Sequence, residues 1–189
     1  MVKSLKPKVV IGVTGKAGSG KDTIGDYLVE NYGFVKMAMA DPLKSGVQNL
    51  FHIDDETMYD REKREEPLAD FPDWSVRKIL QFVGTDLLRN QFDKDIWVKL
   101  MLKKLRLSSS QKIVICDIRF PNELNCIRDC EYANGHFFRV VRNSCDVGDN
   151  VGLGNHESET HELDYDHEFS NDGTFEGLYK QIDKVMKEI

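Results

Sequence analysis

The run Val9-Val-Ile-Gly-Val-Thr-Gly-Lys-Ala-Gly-Ser-Gly-Lys-Asp-Thr23 constrains this chain more than any other stretch. Val9, Val10, Ile11 and Val13 form a short β-branched apolar run, the pattern of a strand covered on both faces. Gly15-x-x-x-x-Gly20-Lys21 follows at once, the frame of a phosphate-binding loop. The glycines let backbone N–H groups curl round phosphate oxygens, and the helix that follows aims its positive end at them. Lys21 adds a mobile point charge for a terminal phosphate. At average residue usage the bare frame starts at roughly 0.0003 of positions, about one accidental match in twenty chains of this length. A strand before it and a helix after it narrow the reading further. The residue after the lysine is Asp22, where Ser or Thr usually holds Mg²⁺, and Thr23 comes next. Gly15, Lys16, Ala17, Gly18, Ser19, Gly20, Lys21, Asp22 and Thr23 are therefore the expected nucleotide cradle.

The 189 residues suffice for one domain with a real core. A formal net charge of −6 sets up no global field for DNA, RNA or membranes, so neither nucleic acid nor membrane is expected as a partner. No apolar stretch approaches the roughly 20 residues of a membrane span. Met1 to Lys8 carries three lysines with no apolar segment behind them, so no secretory signal is read and a cytoplasmic location is expected. Cys116, Cys126, Cys130 and Cys145 form no C-x-x-C pair, and free thiols are the simpler expectation.

Helices and strands alternate along the rest. The first helix is expected from about Gly20 to Asn31, stopped by Gly33. Phe34 to Ala40 reads as a strand, and Asp41-Pro42 as the opening of a helix with Asp41 as N-cap. Lys44 lies in its first turn, where a cation opposes the dipole unless an exposed surface or a bound anion accommodates it. The polar stretch 54–67 reads as a solvated helix or a loose segment. Val76, Ile79, Leu80, Val83, Leu87 and Leu88 give an amphipathic helix over 74–91, capped by Asp73 or Ser75. Arg77, Gln81, Thr85 and Arg89 form a row at spacing four, offering phosphate clamps and base-edge hydrogen bonds. Gly84 interrupts this helix, which suggests close approach of a neighbour. Ile96 to Leu107 is a further amphipathic helix, with Trp97 on its core side. Lys112-Ile-Val-Ile-Cys-Asp117 is an apolar strand ending in an acid, the Walker B pattern, which makes Asp117 a Mg²⁺ candidate. Arg119 follows at the carboxyl end of that strand, where ligands bind in open α/β sheets. A strand over 136–141 ends in Arg142, a polar segment over 143–166 reads as a lid, and a strand near 167–171 precedes a terminal helix. His156, His161 and His167 match no compact zinc spacing.

Taken in order, Gly15-Lys-Ala-Gly-Ser-Gly-Lys-Asp-Thr23, Ala40-Asp-Pro-Leu-Lys44, Leu80-Gln-Phe-Val-Gly-Thr-Asp86 with Arg89, Trp97, Asp117-Ile-Arg-Phe-Pro-Asn-Glu123 and His156-Glu-Ser-Glu159 resemble the deoxynucleoside monophosphate kinases of phage and viral type. These blocks cover the chain nearly end to end. Gly-Lys-Asp-Thr also resembles the Gly-Lys-Gly-Thr of adenylate-kinase-like enzymes, which likewise lack Ser or Thr directly after the lysine. The resemblance implies one α/β domain over 1–189: a three-layer P-loop kinase fold with a parallel central sheet, helices on both faces, a monophosphate-binding insertion over about 41–107 and a lid over about 143–166. It implies transfer of the γ-phosphate of ATP to a dNMP with Mg²⁺ as cofactor. Lys21, Asp117, Arg119 and Arg142 would be catalytic. Lys44, Arg77, Gln81, Thr85, Asp86, Arg89, Trp97 and Arg119 would bind the acceptor, and Asp22, Thr23 and Asp117 would hold the metal. Another small-molecule P-loop kinase, of phosphomevalonate or dephospho-coenzyme A type, and a non-catalytic nucleotide sensor are the alternatives. Monomer and homodimer are both open.

Overall fold

Alternation decides how the first strand is buried. Along β1 (Lys8–Thr14), Ile11 and Val13 face one side of the sheet while Val10 and Gly12 face the other, and the three apolar side chains have no exposed surface. The computed structural model describes residues 7–16, 18–143 and 163–189. The elements that follow β1 are α1 (Lys21–Tyr32), β2 (Val35–Met37), α2 (Asp41–Phe51), α3 (Asp55–Tyr59), β3 (Pro67–Leu68), β4 (Phe71–Ser75) and α4 (Val76–Gln81). A π-helical segment, Phe82–Phe92, continues α4, and then come α5 (Ile96–Leu107), β5 (Lys112–Ile115), α6 (Pro121–Arg128), β6 (Ala133–Val141), β7 (His167–Ser170) and α7 (Phe175–Val185).

The chain divides into two compact units, Met1–Ala38 with Leu102–Ile189, and Met39–Met101. The first holds a five-stranded sheet in the order β2-β5-β1-β6-β7, every pairing parallel. One face carries α1 and α7. Ile24 and Leu28 of the former and Leu178 and Ile182 of the latter join Ile11, Val13, Val114, Phe138, Val140 and Phe169 in one buried cluster. Tyr27 and Tyr32 both donate to the Asp183 carboxylate at 2.7 Å, which ties α1 to α7. The other face is covered by Ile118 and by α6: a Cβ on Gly12 would meet the Ile118 side chain at 2.4 Å and Phe137 at 2.8 Å, and one on Gly135 would meet Ile127 at 3.2 Å. A parallel sheet with helices on both faces is the three-layer α/β architecture expected above.

The second unit has its own small core, with Val47, Ile53, Met58, Val76 and Ile79 packed together. It differs from the expectation in three places. The helix after Ala40 begins one residue early, so Ala40 is the N-cap and Asp41 the first helical residue. The stretch 54–67, expected to be solvated helix or loose chain, forms the short helix α3 and a 3₁₀ turn and leads into an antiparallel β3–β4 hairpin. The helix expected over 74–91 starts at Val76, and after Gln81 it widens from α to π winding. Ser75 caps it, accepting from the Lys78 N–H at 3.3 Å. The strand expected over 34–40 is paired only over Val35–Met37. Cys116, Cys126 and Cys130 are free thiols, and burial pushes the Cys116 thiol up to about 12. Cys145, His156 and His161 lie outside the described residues, as does nearly all of the expected lid.

Candidate functional site

β1 and β5 are neighbours whose onward connections leave in opposite directions, β1 toward β2 and β5 across β1 to β6, so the crevice between them is the topological switch point of the sheet. All five strands being parallel, the residues after β1, β5, β6 and β7 emerge along one edge. That edge gathers the phosphate loop, Asp117, Arg119 and Arg142.

The loop needs its glycines. Gly15, Gly18 and Gly20 have φ of 147°, 78° and 108°, values that side-chain-bearing residues rarely take. At Gly15 a Cβ would also fall 2.4 Å from the Val140 carbonyl oxygen, a backbone atom with little freedom to move. The Ser19 N–H donates to the Lys16 carbonyl at 3.2 Å, closing the loop on itself. Gly20, as N-cap of α1, contributes no side-chain cap, so the first-turn amides keep their capacity for an anion. The Lys21 ammonium folds over the loop, donating to the carbonyls of Gly15 at 2.6 Å and Lys16 at 2.7 Å. Ala17 lies outside the described residues.

Asp22 has a partner that its place in the sequence did not suggest. The Lys36 ammonium lies 2.8 Å from the Asp22 carboxylate and 2.9 Å from Asp26, one helical turn on. Burial opposes the charge on Lys36, but the two carboxylates outweigh it and raise its pKa. Thr23 is half-buried in the first turn of α1, and Asp117 is half-buried two residues past the end of β5. Asp22, Thr23 and Asp117 offer hard oxygen ligands, the kind Mg²⁺ takes together with water and substrate phosphates. Among the described residues no group of three or more His, Cys, Asp or Glu side chains is arranged to hold a metal ion by itself.

The segment after β5 is held from behind by Glu123. Its Oε2 accepts the N–H of Arg119 at 2.8 Å and of Phe120 at 3.1 Å. Pro121 opens α6, and the carboxylate three residues into that helix reaches back to the N-cap amide. Glu123 is buried, and burial pushes its carboxyl up to about 7 even though two N–H donors favour the ion. The Arg119 side chain stands exposed, and so does that of Arg142, directly after β6. Both neighbours of Arg142 are pinned: the Asn171 N–H donates to the Val141 carbonyl and the Asn143 N–H donates to Asp172, 2.8 Å and 2.7 Å respectively.

In the second unit the predicted acceptor-side residues have varied settings. Lys44, in the first turn of α2, places its ammonium 5.4 Å from the centre of the Tyr59 ring. Arg77 is largely covered and pairs with Glu65 at 3.2 Å. Gln81, Asp86 and Arg89 are half-buried, while Thr85 is buried. Arg89 donates to the Asn90 side chain at 3.3 Å. The π winding alters the angular step after Gln81, so the row drawn at α-helical spacing does not continue regularly through Thr85 and Arg89. Gly84 explains itself: a Cβ there would meet Leu43 at 2.5 Å. Trp97 is buried and donates its indole N–H to the Gly84 carbonyl at 3.1 Å, so it braces the π segment from inside.

Three contributors escaped the sequence reading: Lys36, Glu123 as a carboxylate that holds Arg119, and Asn171. Only Glu123 carried a usable signal, its position just inside a helix opened by proline.

Comparison with known proteins bears on the family of the chain. The family profile described as deoxynucleotide monophosphate kinase matches residues 61–182. A protein of Acanthamoeba polyphaga mimivirus described as a deoxynucleotide monophosphate kinase is 32% identical over 192 aligned positions, covering 92% of this chain and 94% of its own. The deoxynucleotide monophosphate kinase of Enterobacteria phage T4 is 24% identical, covering 94% of this chain and 98% of its own. Among solved structures, a gluconokinase from Sinorhizobium meliloti 1021 aligns over 97% of both chains with a TM-score of 0.50 at 10% identity, a likeness of fold alone.

Proposed function

This chain belongs to the deoxynucleotide monophosphate kinase family, and from that premise we propose that it transfers the γ-phosphate of ATP to a deoxynucleoside monophosphate, giving the dNDP and ADP. The observation that carries the reading is the family match, which spans the π segment, the Asp117-Ile-Arg119 strand end and the strands β5, β6 and β7. An acceptor phosphate is already anionic at neutral pH, so the reaction needs no strong general base. Catalysis reduces to alignment and charge neutralisation.

In this reading the loop amides and Lys21 hold the β- and γ-phosphates. The ammonium, now spent on two loop carbonyls, exchanges those contacts for phosphate oxygens. Asp117 and Thr23 hold Mg²⁺, and the Lys36 pairing makes Asp22 the weaker candidate of the three. When bound, the metal supplies positive charge to the phosphate oxygens. Arg119 and Arg142 neutralise the transferring phosphoryl group. On the acceptor side Lys44, Arg77 and Arg89 bind the monophosphate, Gln81, Thr85 and Asp86 contact base or sugar, and Trp97 acts through Gly84 by holding the π segment in shape. The 41–107 stretch serves as the monophosphate-binding insertion, and the segment 143–166, most of which lies outside the described residues, is assigned as the lid.

The test is a coupled ADP-release assay over dTMP, dGMP, dCMP, hydroxymethyl-dCMP and dAMP, the ribonucleoside monophosphates, and isoprenoid and coenzyme acceptors. ADP formation with at least one dNMP, exceeding that with every non-nucleotide acceptor, is the expected result. Turnover confined to the non-nucleotide acceptors would overturn the reading.

A further inference from the structure

We propose that Asn171 is a positioning residue for the donor nucleotide, acting through the phosphate loop. Its side-chain amide donates to the Ser19 carbonyl at 2.8 Å, across 152 residues of sequence. Both residues are buried, Ser19 at 1% and Asn171 at 7% exposure, so water does not replace that bond. Its own N–H donates to the Val141 carbonyl, which fixes Asn171 to the end of β6. Next to it, the Asp172 carboxylate accepts from the Asn143 N–H and side-chain amide at 2.7 Å and 2.8 Å and from the Ser170 hydroxyl at 3.2 Å. The amide therefore projects from a braced strand end.

Two features show that the loop is shaped around this amide. A Cβ on Gly20 would lie 2.3 Å from the Asn171 amide nitrogen, so glycine there makes room for the contact. The peptide joining Ser19 to Gly20 is trans and planar, so tying its carbonyl to Asn171 turns the Gly20 N–H to the opposite side. The bond thus keeps a carbonyl's lone pairs turned toward Asn171 and holds that peptide plane still where phosphate oxygens need N–H groups. Without the donor the Ser19 carbonyl is buried and unsatisfied, and rotating the peptide to recover a partner spoils the cradle. The role of Asn171 rests on the loop's binding ATP as read above. It predicts that damage falls on ATP affinity and spares the acceptor.

The test uses the full chain and two substitutions. Asn171→Asp keeps the shape and removes the donor, while Asn171→Ala removes donor and acceptor together. Calorimetric titration with ATP and Mg²⁺, no acceptor present, gives Kd; steady-state assays give KM for ATP, KM for the best dNMP, and kcat. Both variants should raise Kd and KM for ATP about tenfold, the effect of one unsatisfied buried carbonyl, with KM for the dNMP within about twofold. Leu178→Ala, a core truncation on α7, serves as the comparison: it should lower Tm and leave KM for ATP unchanged. Unchanged ATP affinity in Asn171→Asp, or losses that follow Tm alone as in Leu178→Ala, would overturn the proposal. Variants that do not fold at all would make Asn171 a folding residue and overturn it equally. A parent chain that binds ATP yet phosphorylates no dNMP would sink the functional reading and leave the Asn171 comparison intact. A parent chain that binds no ATP would sink both.

Discussion

Arg119 and Glu123 show what single residues decide at the end of β5. The Arg119 backbone is fixed by the buried Glu123 carboxylate while its side chain stays exposed. A guanidinium that meets charge only as it develops acts on the rate, not on ground-state binding. Arg119→Ala should therefore lower kcat by roughly 10³-fold or more and change ATP affinity by a few-fold at most. Stopped assays beside ATP titrations check this, and equal losses in both would remove Arg119 from the transition state. Glu123 predicts a pH dependence of stability. Its folded pKa of about 7 stands above the ordinary 4.5, so the folded chain retains a proton that the unfolded chain gives up. That contribution is fully present below about pH 4.5 and is lost as pH rises through 7. A displacement of that size corresponds to about 3 kcal/mol. Urea midpoints at pH 5 and pH 8 should draw together in Glu123→Gln relative to the parent, and an unchanged pH slope would count against the assignment. Of these two residues, Arg119 was legible because it follows an apolar strand and an acid. The pairing of the Glu123 carboxylate with the Arg119 N–H was not, since the hydrogen bond forms only once Phe120 ends the extended segment and α6 begins.

At the scale of elements, strong periodicity was a good guide and polar stretches were a poor one. α1, α5, α7 and the sheet strands follow from apolar spacing and from stop signals such as Gly33, whose φ of 70° ends α1. The β3–β4 hairpin was not legible. Its residues are mostly exposed, so no apolar alternation marks it. The π winding after Gln81 was not legible either, because it depends on Leu43 against Gly84 and on the Trp97 indole holding the Gly84 carbonyl. Where local rules do apply, they predict local effects. Ser75→Ala removes the N-cap acceptor for the Lys78 N–H and should cost about 1 kcal/mol of stability. Chemical denaturation would read that loss with an unchanged m-value, and no loss at all would mean that the first turn of α4 does without its cap.

For the whole molecule, the loop, Asp117, Arg119 and Arg142 share one edge only because β1, β5, β6 and β7 are parallel neighbours. A ligand that binds this edge in the folded chain alone stabilises it by mass action. ATP with Mg²⁺ at about 100 times its Kd adds about 2.7 kcal/mol, which in a chain of this size raises Tm by about 5–10 °C. Differential scanning fluorimetry would show it, and a Tm indifferent to ATP would contradict nucleotide binding. The chain's own sequence determined the phosphate loop, the parallel α/β class and the family, because each depends on residue types at short, fixed spacings that keep their meaning in any surroundings. The tertiary structure alone decided that Lys36 takes up Asp22, that Trp97 braces a π segment, and that Asn171 holds the Ser19 carbonyl. Each of those joins groups that only the folded backbone brings together, and a hydrogen bond or ion pair acquires its strength from that burial and geometry.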